Sequence, residues 1–187
     1  MKNLVILLFS ISIVSCTKEK KGFSDYLESL DQLELPLTFN LNSKMDASKN
    51  YDTALFEKYK HSWAYAPYGI AFKNDSIVGL IEYSIGDNGL VPLLTTLDNK
   101  GNKIDSLNLL GNVWFGEEGQ TLVSTVVKND LKIVLTDSSK SWQVDEDYNI
   151  IPNTTELKVL IFTYQVIENG KIKRINISKP IISKIQS

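Results

Sequence analysis

The sequence predicts a mainly β domain: an antiparallel β-sandwich or partly closed barrel built of hairpins, preceded by one or two short helices. Three observations carry this expectation. From about residue 65 onward apolar residues alternate at a period of two, whereas two short segments before it, residues 23–33 and 52–59, repeat at helical spacing. Clusters of Asn, Asp, Ser and Gly break the alternation at intervals of hairpin size. No period of 20–50 residues recurs, which disfavours a solenoid or a propeller.

Composition agrees with one globular domain. A hydrophobic fraction of 43% and a charged fraction of 22% exclude collagenous and wholly disordered classes. The 187 residues suffice to bury most of their apolar surface without metal or disulfide staples.

Phe23, Tyr26, Leu27, Leu30 and Leu33 recur at helical spacing, with Ser24 placed to cap the helix and Pro36 to end it. Leu35 to Phe39 is extended, because the residue before a proline avoids helical angles. Polar residues 40–50 form a loop. Asp52 then caps a second short helix that carries Leu55, Phe56 and Tyr59 on one side.

Four hairpins follow. Residues 70–73 and 77–85 flank Asn74-Asp75-Ser76, and residues 90–97 and 103–110 flank Asp98 to Asn102, where Gly101 can take positive φ. Residues 122–127 and 131–135 flank Lys128-Asn129-Asp130. Residues 157–168 and 171–177 flank Asn169-Gly170, the strongest short hairpin signal in the chain. Ile181-Ile182 closes the sheet after Pro180. In residues 157–167 both alternating faces are apolar: Leu157, Val159 and Ile161 on one, Leu160, Phe162 and Tyr164 on the other. That strand is expected to be central, covered on one face by a second sheet and on the other by an amino-terminal helix.

The amino terminus carries an address. Met1-Lys2-Asn3 is a short basic start, and Leu4 to Val14 runs without a charge, too short for a membrane-spanning helix and suited to a signal-peptide core. The run ends at Ile13-Val14-Ser15-Cys16, which resembles the lipobox of bacterial lipoproteins. The resemblance implies cleavage before Cys16 and lipidation (palmitate and related acyl chains) of that residue, a tether over 16–22, and a domain over 23–187, helical to about 60 and β from about 65. Acyl chains anchor at about 0.8 kcal/mol per buried methylene, so the fold needs no membrane-binding face. Cys16 is the chain's one cysteine, so the mature domain has neither thiol chemistry nor disulfides. Thr17, rather than Asp, after Cys16 resembles the outer-membrane sorting signal of enteric bacteria, implying a cell-envelope location at the outer membrane.

Without residues 1–15 the chain holds 19 basic and 22 acidic residues. That mildly acidic balance, read as lacking basic runs, argues against a nucleic-acid partner. The stretch from Asp98 to Leu107, a D-x-x-G turn with an I-D-S-L return strand, resembles a turn in small uncharacterised lipoproteins of Gram-negative bacteria. The group implies a β-hairpin domain and no activity.

Candidate sites are few. His61 is the only histidine, and no G-x-S-x-G elbow accompanies it, so it reads as a surface or loop residue rather than a hydrolase base. One histidine and a lipidated cysteine leave no zinc site. Asp145-Glu146-Asp147-Tyr148-Asn149 resembles the opening of a calcium loop, but Ile150 stands where such loops need Gly, so it reads as a solvated acidic loop. No cofactor is expected. Paired carboxylates of a glycosidase would be close in space rather than in sequence, and nothing marks a pair. Trp63, Tyr65, Tyr68 and Trp114 form the candidate ligand or partner patch, since flat rings with polar edges stack on sugars and proteins. For Tyr59, Trp63, Tyr65 and Tyr68 the favoured reading is packing at the helix–sheet junction, since aromatic rings mostly supply core area. Asp52-Thr53-Ala54, Asp75-Ser76-Ile77 and Asp105-Ser106-Leu107 resemble the O-glycosylation acceptors of some exported proteins. The expected function is a non-catalytic, membrane-anchored interaction or assembly module for an envelope protein; the alternatives are a module binding carbohydrate or a small apolar ligand, and then a hydrolase.

Overall fold

The computed structural model describes residues 22–111 and 113–185. The expected signal peptide, Cys16 and all of the tether except Gly22 lie outside them.

Helix α1 spans Phe23–Glu28. Its cap is Gly22, two residues earlier than the expected Ser24: Gly22 is extended, and its N–H donates to Asp25 Oδ2 at 2.5 Å. The helix also ends well before Pro36. Residues 31–33 leave it to lie beside β2 (Ala66–Lys73), where Leu33 N–H donates to the Ile70 carbonyl and Ile70 N–H to the Asp31 carbonyl. That close approach needs Gly69, since a Cβ there would sit 2.5 Å from the Asp31 carbonyl oxygen. Strand β1 (Leu37–Phe39) follows, and helix α2 (Thr53–Tyr59) starts at Asp52 as expected, whose Oδ1 accepts from the N–H groups of Ala54 and Leu55.

Strands β2, β3 (Ile77–Gly86), β4 (Gly89–Asp98) and β5 (Lys103–Asn108) make a four-stranded antiparallel meander. A seven-stranded antiparallel sheet takes β1, β6 (Trp114–Gly116), β7 (Gly119–Val127), β8 (Lys132–Ser141), β9 (Glu156–Val166), β10 (Ile172–Ile177) and β11 (Ile181–Lys184). Its main path is β1-β7-β8-β9-β10, with β6 on β7 and β11 on β9. All four expected hairpins form. The three-residue strand β6 was not anticipated.

The two sheets pack as a sandwich, and the barrel alternative falls away because no strand ladder joins them. What ties β5 to β10 is side-chain bonding: Asp105 Oδ2 accepts from Ile172 N–H at 2.9 Å. Thr96 Oγ1 adds a bond from β4 to the Gly170 carbonyl at 2.7 Å.

The core has two parts. Between the sheets, Phe72, Ile77, Ile81 and Leu94 meet Phe39, Val127, Ile133 and Val166. On the other face of the smaller sheet, Val78, Leu80 and Leu97 meet Phe23, Tyr26, Leu27, Leu55, Phe56 and Tyr59 from the helices. Strand β3 is therefore buried on both faces, each large side chain contributing about 1.5–3 kcal/mol. The expectation of a doubly covered strand over residues 157–167 therefore fails: the strand covered on both faces is β3, not β9. No helix covers β9, and its residues from Leu157 to Gln165 are only half-buried, apart from exposed Lys158.

Cross-strand rows show where the sandwich stops. Val127, Ile133 and Tyr164 face the core together, but the rows beyond become Val123–Asp137–Leu160 and Thr121–Ser139–Lys158. The larger sheet overhangs its partner there, and the change from apolar to polar records it.

Gly101, in the β4–β5 turn at φ +84°, lies under the helices. A Cβ there would meet the Tyr59 ring at 2.6 Å and the Phe23 ring at 2.8 Å. Gly101→Ala is expected to destabilise the fold by about 1–3 kcal/mol through left-handed backbone strain and overpacking. A lower urea midpoint at unchanged slope checks this; an unchanged midpoint contradicts it.

Candidate functional site

Alternation along β3 places Glu82 on the same face as Val78 and Leu80, beneath the helices. Its side chain is fully buried, at 0% exposure. Oε2 accepts from Thr95 Oγ1 at 2.7 Å, and the backbone N–H of His61 lies 3.0 and 3.2 Å from the two carboxylate oxygens. Loss of hydration raises the Glu82 pKa; the Thr95 and His61 hydrogen bonds and the charges of Lys103 and Lys60 oppose that rise without cancelling it. The Tyr26 hydroxyl is also buried and has no hydrogen-bond partner among the described residues. Burial and the Glu82 charge both push its pKa up.

Glu82 therefore pins the connection between α2 and β2 to the sheet. None of four concavities described in the structure includes Glu82, Tyr26 or His61 in its wall. Fully buried and bonded to Thr95 and to the His61 backbone, this carboxylate positions the helical layer on the sheet.

His61 is half-exposed, with Nδ1 accepting from Trp63 N–H at 3.3 Å and its ring edge-on to Trp63. Partial burial, with Lys103 nearby, lowers its pKa. Its ring makes no hydrogen bond to a carboxylate or to a hydroxyl nucleophile among the described residues. In the acidic loop, Asp145 Oδ1 accepts from the N–H groups of Asp147 and Asn149 at 2.9 and 2.8 Å, so this oxygen shapes the turn. Those bonds, led by that of the Asn149 N–H, lower the pKa of Asp145 against an opposing desolvation effect. Among the described residues no three His, Cys, Asp or Glu side chains converge as metal ligands.

The four residues of the expected aromatic patch separate. Tyr68 is half-buried and packs edge-on against Phe39 between the sheets rather than at the helix–sheet junction; of these rings Tyr59 lies buried under the helices, where the packing reading placed it. Trp63 and Tyr65 do not pack inward; they are 76% and 64% exposed in the segment entering β2. Trp114 is 52% exposed on β6 in the other sheet, lying over Gly116. None of the four lines the concavities described above; the smallest of these, about 200 Å³, is walled instead by Leu41, residues 86–91, Leu110, Gly111 and Val113. Thr53, Ser76 and Ser106 of the three Asp-Ser/Thr triplets are all exposed.

The surface feature that sequence reasoning missed is the carboxyl-terminal edge. Residues 171–184 are exposed apart from Ile172 and Ser178. From Asn169 to Ser187 there are five basic residues and no acidic one, which leaves 15 basic against 22 acidic residues in the rest of the chain. A charge count over the whole chain hides this run; a windowed count finds it. The reading of a surface without basic runs is corrected accordingly. Ile175, Ile177, Ile181 and Ile182 stand among these cations at 45–60% exposure.

No protein-family model, curated protein or solved structure matches this chain.

The raised Glu82 pKa gives a signed prediction. The folded chain holds this proton more tightly than the unfolded one, so the group's contribution to stability is full below the unfolded pKa and is lost as pH rises through the raised folded value. In urea titrations from about pH 4 to about pH 8, Glu82→Gln is expected to flatten the decline seen in the parent protein. Parallel pH curves for the two proteins would refute it.

Proposed function

We propose that this chain is a non-catalytic interaction module of the cell envelope, anchored through lipid on Cys16 and docking a protein partner along the carboxyl-terminal edge of its larger sheet. The exposed β10–β11 edge carries the reading, because four isoleucines in the open on one sheet margin are a pattern of contact surfaces. The leader supports the address: a basic start, an eleven-residue charge-free run and a lipobox-like end, followed by the polar tether.

Trp63, Tyr65 and Trp114 suit a carbohydrate less well. Sugar sites pair a ring platform with polar groups in a concavity, whereas Trp63 and Tyr65 stand just before β2, Trp114 stands on β6 of the other sheet, and none lines the concavities described above.

Two measurements test this reading. Cys16→Ala is expected to abolish palmitate labelling and to move the protein from the membrane to the soluble fraction. Retained label would overturn the anchor. A photo-crosslinking residue at Ile177 or Ile181 is expected to give a discrete protein adduct in cells, and one at Glu146 none. Equal labelling at all three positions, or no adduct at any, would overturn the docking edge.

A further inference from the structure

Strand β8 occupies one side of β9 over its whole length, so β10 and β11 lie end to end along the other side. Ser178 splices them: its N–H donates to the Ile161 carbonyl at 2.9 Å, and its Oγ accepts from Ile161 N–H at 3.0 Å. At the β5 end, Ile172 N–H is taken by Asp105. Beyond that point, no hydrogen bond among the described residues engages the outward backbone groups of residues 173–184. A strand-length row of donors and acceptors therefore faces solvent.

The side chains on this row are of two kinds. Lys173, Arg174, Lys179 and Lys184 are exposed, and no ion pair engages them among the described residues. The exposed isoleucines lie on both faces of the margin, since Ile177 pairs with Phe162 on the core-side face and Ile181 with Val159 on the outer face. Basic residues, the bulge between Arg174 and Asn176, and Pro180 all protect an edge against like edges. Protection alone does not account for the isoleucines, which make an edge more adhesive.

We propose that the β10–β11 margin receives an extended acidic polypeptide segment, which adds to the larger sheet as a further strand; this deepens the interaction-module reading and rests on it. Backbone pairing supplies affinity, isoleucines on both faces give the incoming side chains apolar contacts, and the charges select an acidic segment. The same charges turn away a second copy of this margin. A bilayer is the poorer occupant, because an unpaired sheet edge cannot enter hydrocarbon without leaving its N–H and C=O groups unsatisfied.

The test uses the full chain in detergent micelles and end-blocked heptapeptides. The Glu-Val-Glu-Val-Glu-Val-Glu peptide is expected to bind, to shift the amide resonances of residues 173–184, and to weaken as salt rises. Its lysine counterpart and a version N-methylated at alternate amides are expected not to bind. Reversing Lys173, Arg174 and Lys179 together to Glu is expected to weaken the acidic peptide by about tenfold or more and to favour the lysine peptide. Circular dichroism checks that the exposed reversals leave the fold intact, and the Gln triple variant is expected to fall between parent and reversal. Equal binding of the N-methylated peptide overturns strand addition, as does binding to phosphatidylglycerol vesicles alone. If no peptide binds while adducts at Ile177 persist, the acidic strand is overturned and the interaction module stands; if both fail, both readings fall.

Discussion

Burial of β3 on both faces is the constraint from which the rest of the architecture follows. Val78 and Leu80 on one side and Ile77 and Ile81 on the other each need an apolar cover, and one layer cannot supply both. The two short helices take the first side and the seven-stranded sheet takes the second. Helices of six and seven residues are too short to be stable by themselves, so they depend on this docking. With both helices committed to the smaller sheet, none covers the larger one, whose outer face and overhanging end stay open.

Glu82 gives that docking its register. A fully apolar interface would let two short helices slide with little penalty, whereas a buried carboxylate must find its donors or lose several kcal/mol. The His61 N–H and Thr95 hydroxyl supply them, which fixes where α2 ends and where the chain turns into β2. The cost shows in the raised pKa of Glu82 and in the unpaired Tyr26 hydroxyl close by. Fixing this connection also sets Trp63 and Tyr65 outside the core: only a few residues separate the anchored His61 from β2, and Ala64 takes the buried position between the two rings.

Much of this was legible in the sequence, for local reasons. The hairpins were visible because turn chemistry is short-range: Asn74 Oδ1 accepts from Ser76 and Ile77, and Asp98 Oδ1 from Lys100 and Asn102. Asp52 announced α2 in the same way. Which strand lies in the middle was not legible. The runs Ile77–Tyr83 and Leu157–Tyr164 are both apolar on two faces, and periodicity cannot say which of them the helices will choose. Glu82 misleads further, since an acidic residue in an alternating strand reads as solvent-facing. Leu33 fitted a helical repeat but left it for a sheet-edge position whose backbone partner is 37 residues away at Ile70. Of the candidate surface, the exposure of Trp63 and Tyr65 and the continuity of β10 with β11 are tertiary facts. The basic run, by contrast, stood in plain view and was lost by averaging.

The open margin of the larger sheet follows from the same economy of cover. A sheet with strands β1 and β6 on one side and β10 and β11 on the other has two edges to protect, and the chain treats them differently. Both are built of short paired segments laid end to end, which limits the flat length available for accidental pairing. Only the carboxyl-terminal margin adds a run of like charge and a bulge, and only there do aliphatic side chains remain in the open along both strands. Like charge along this margin raises the free energy of self-association and lowers that of contact with an opposite charge. Protection against self-pairing would have been cheaper with polar residues at positions 175, 177, 181 and 182. On the acidic-strand proposal, the isoleucines therefore bear on what the margin admits, and the cations on what it refuses.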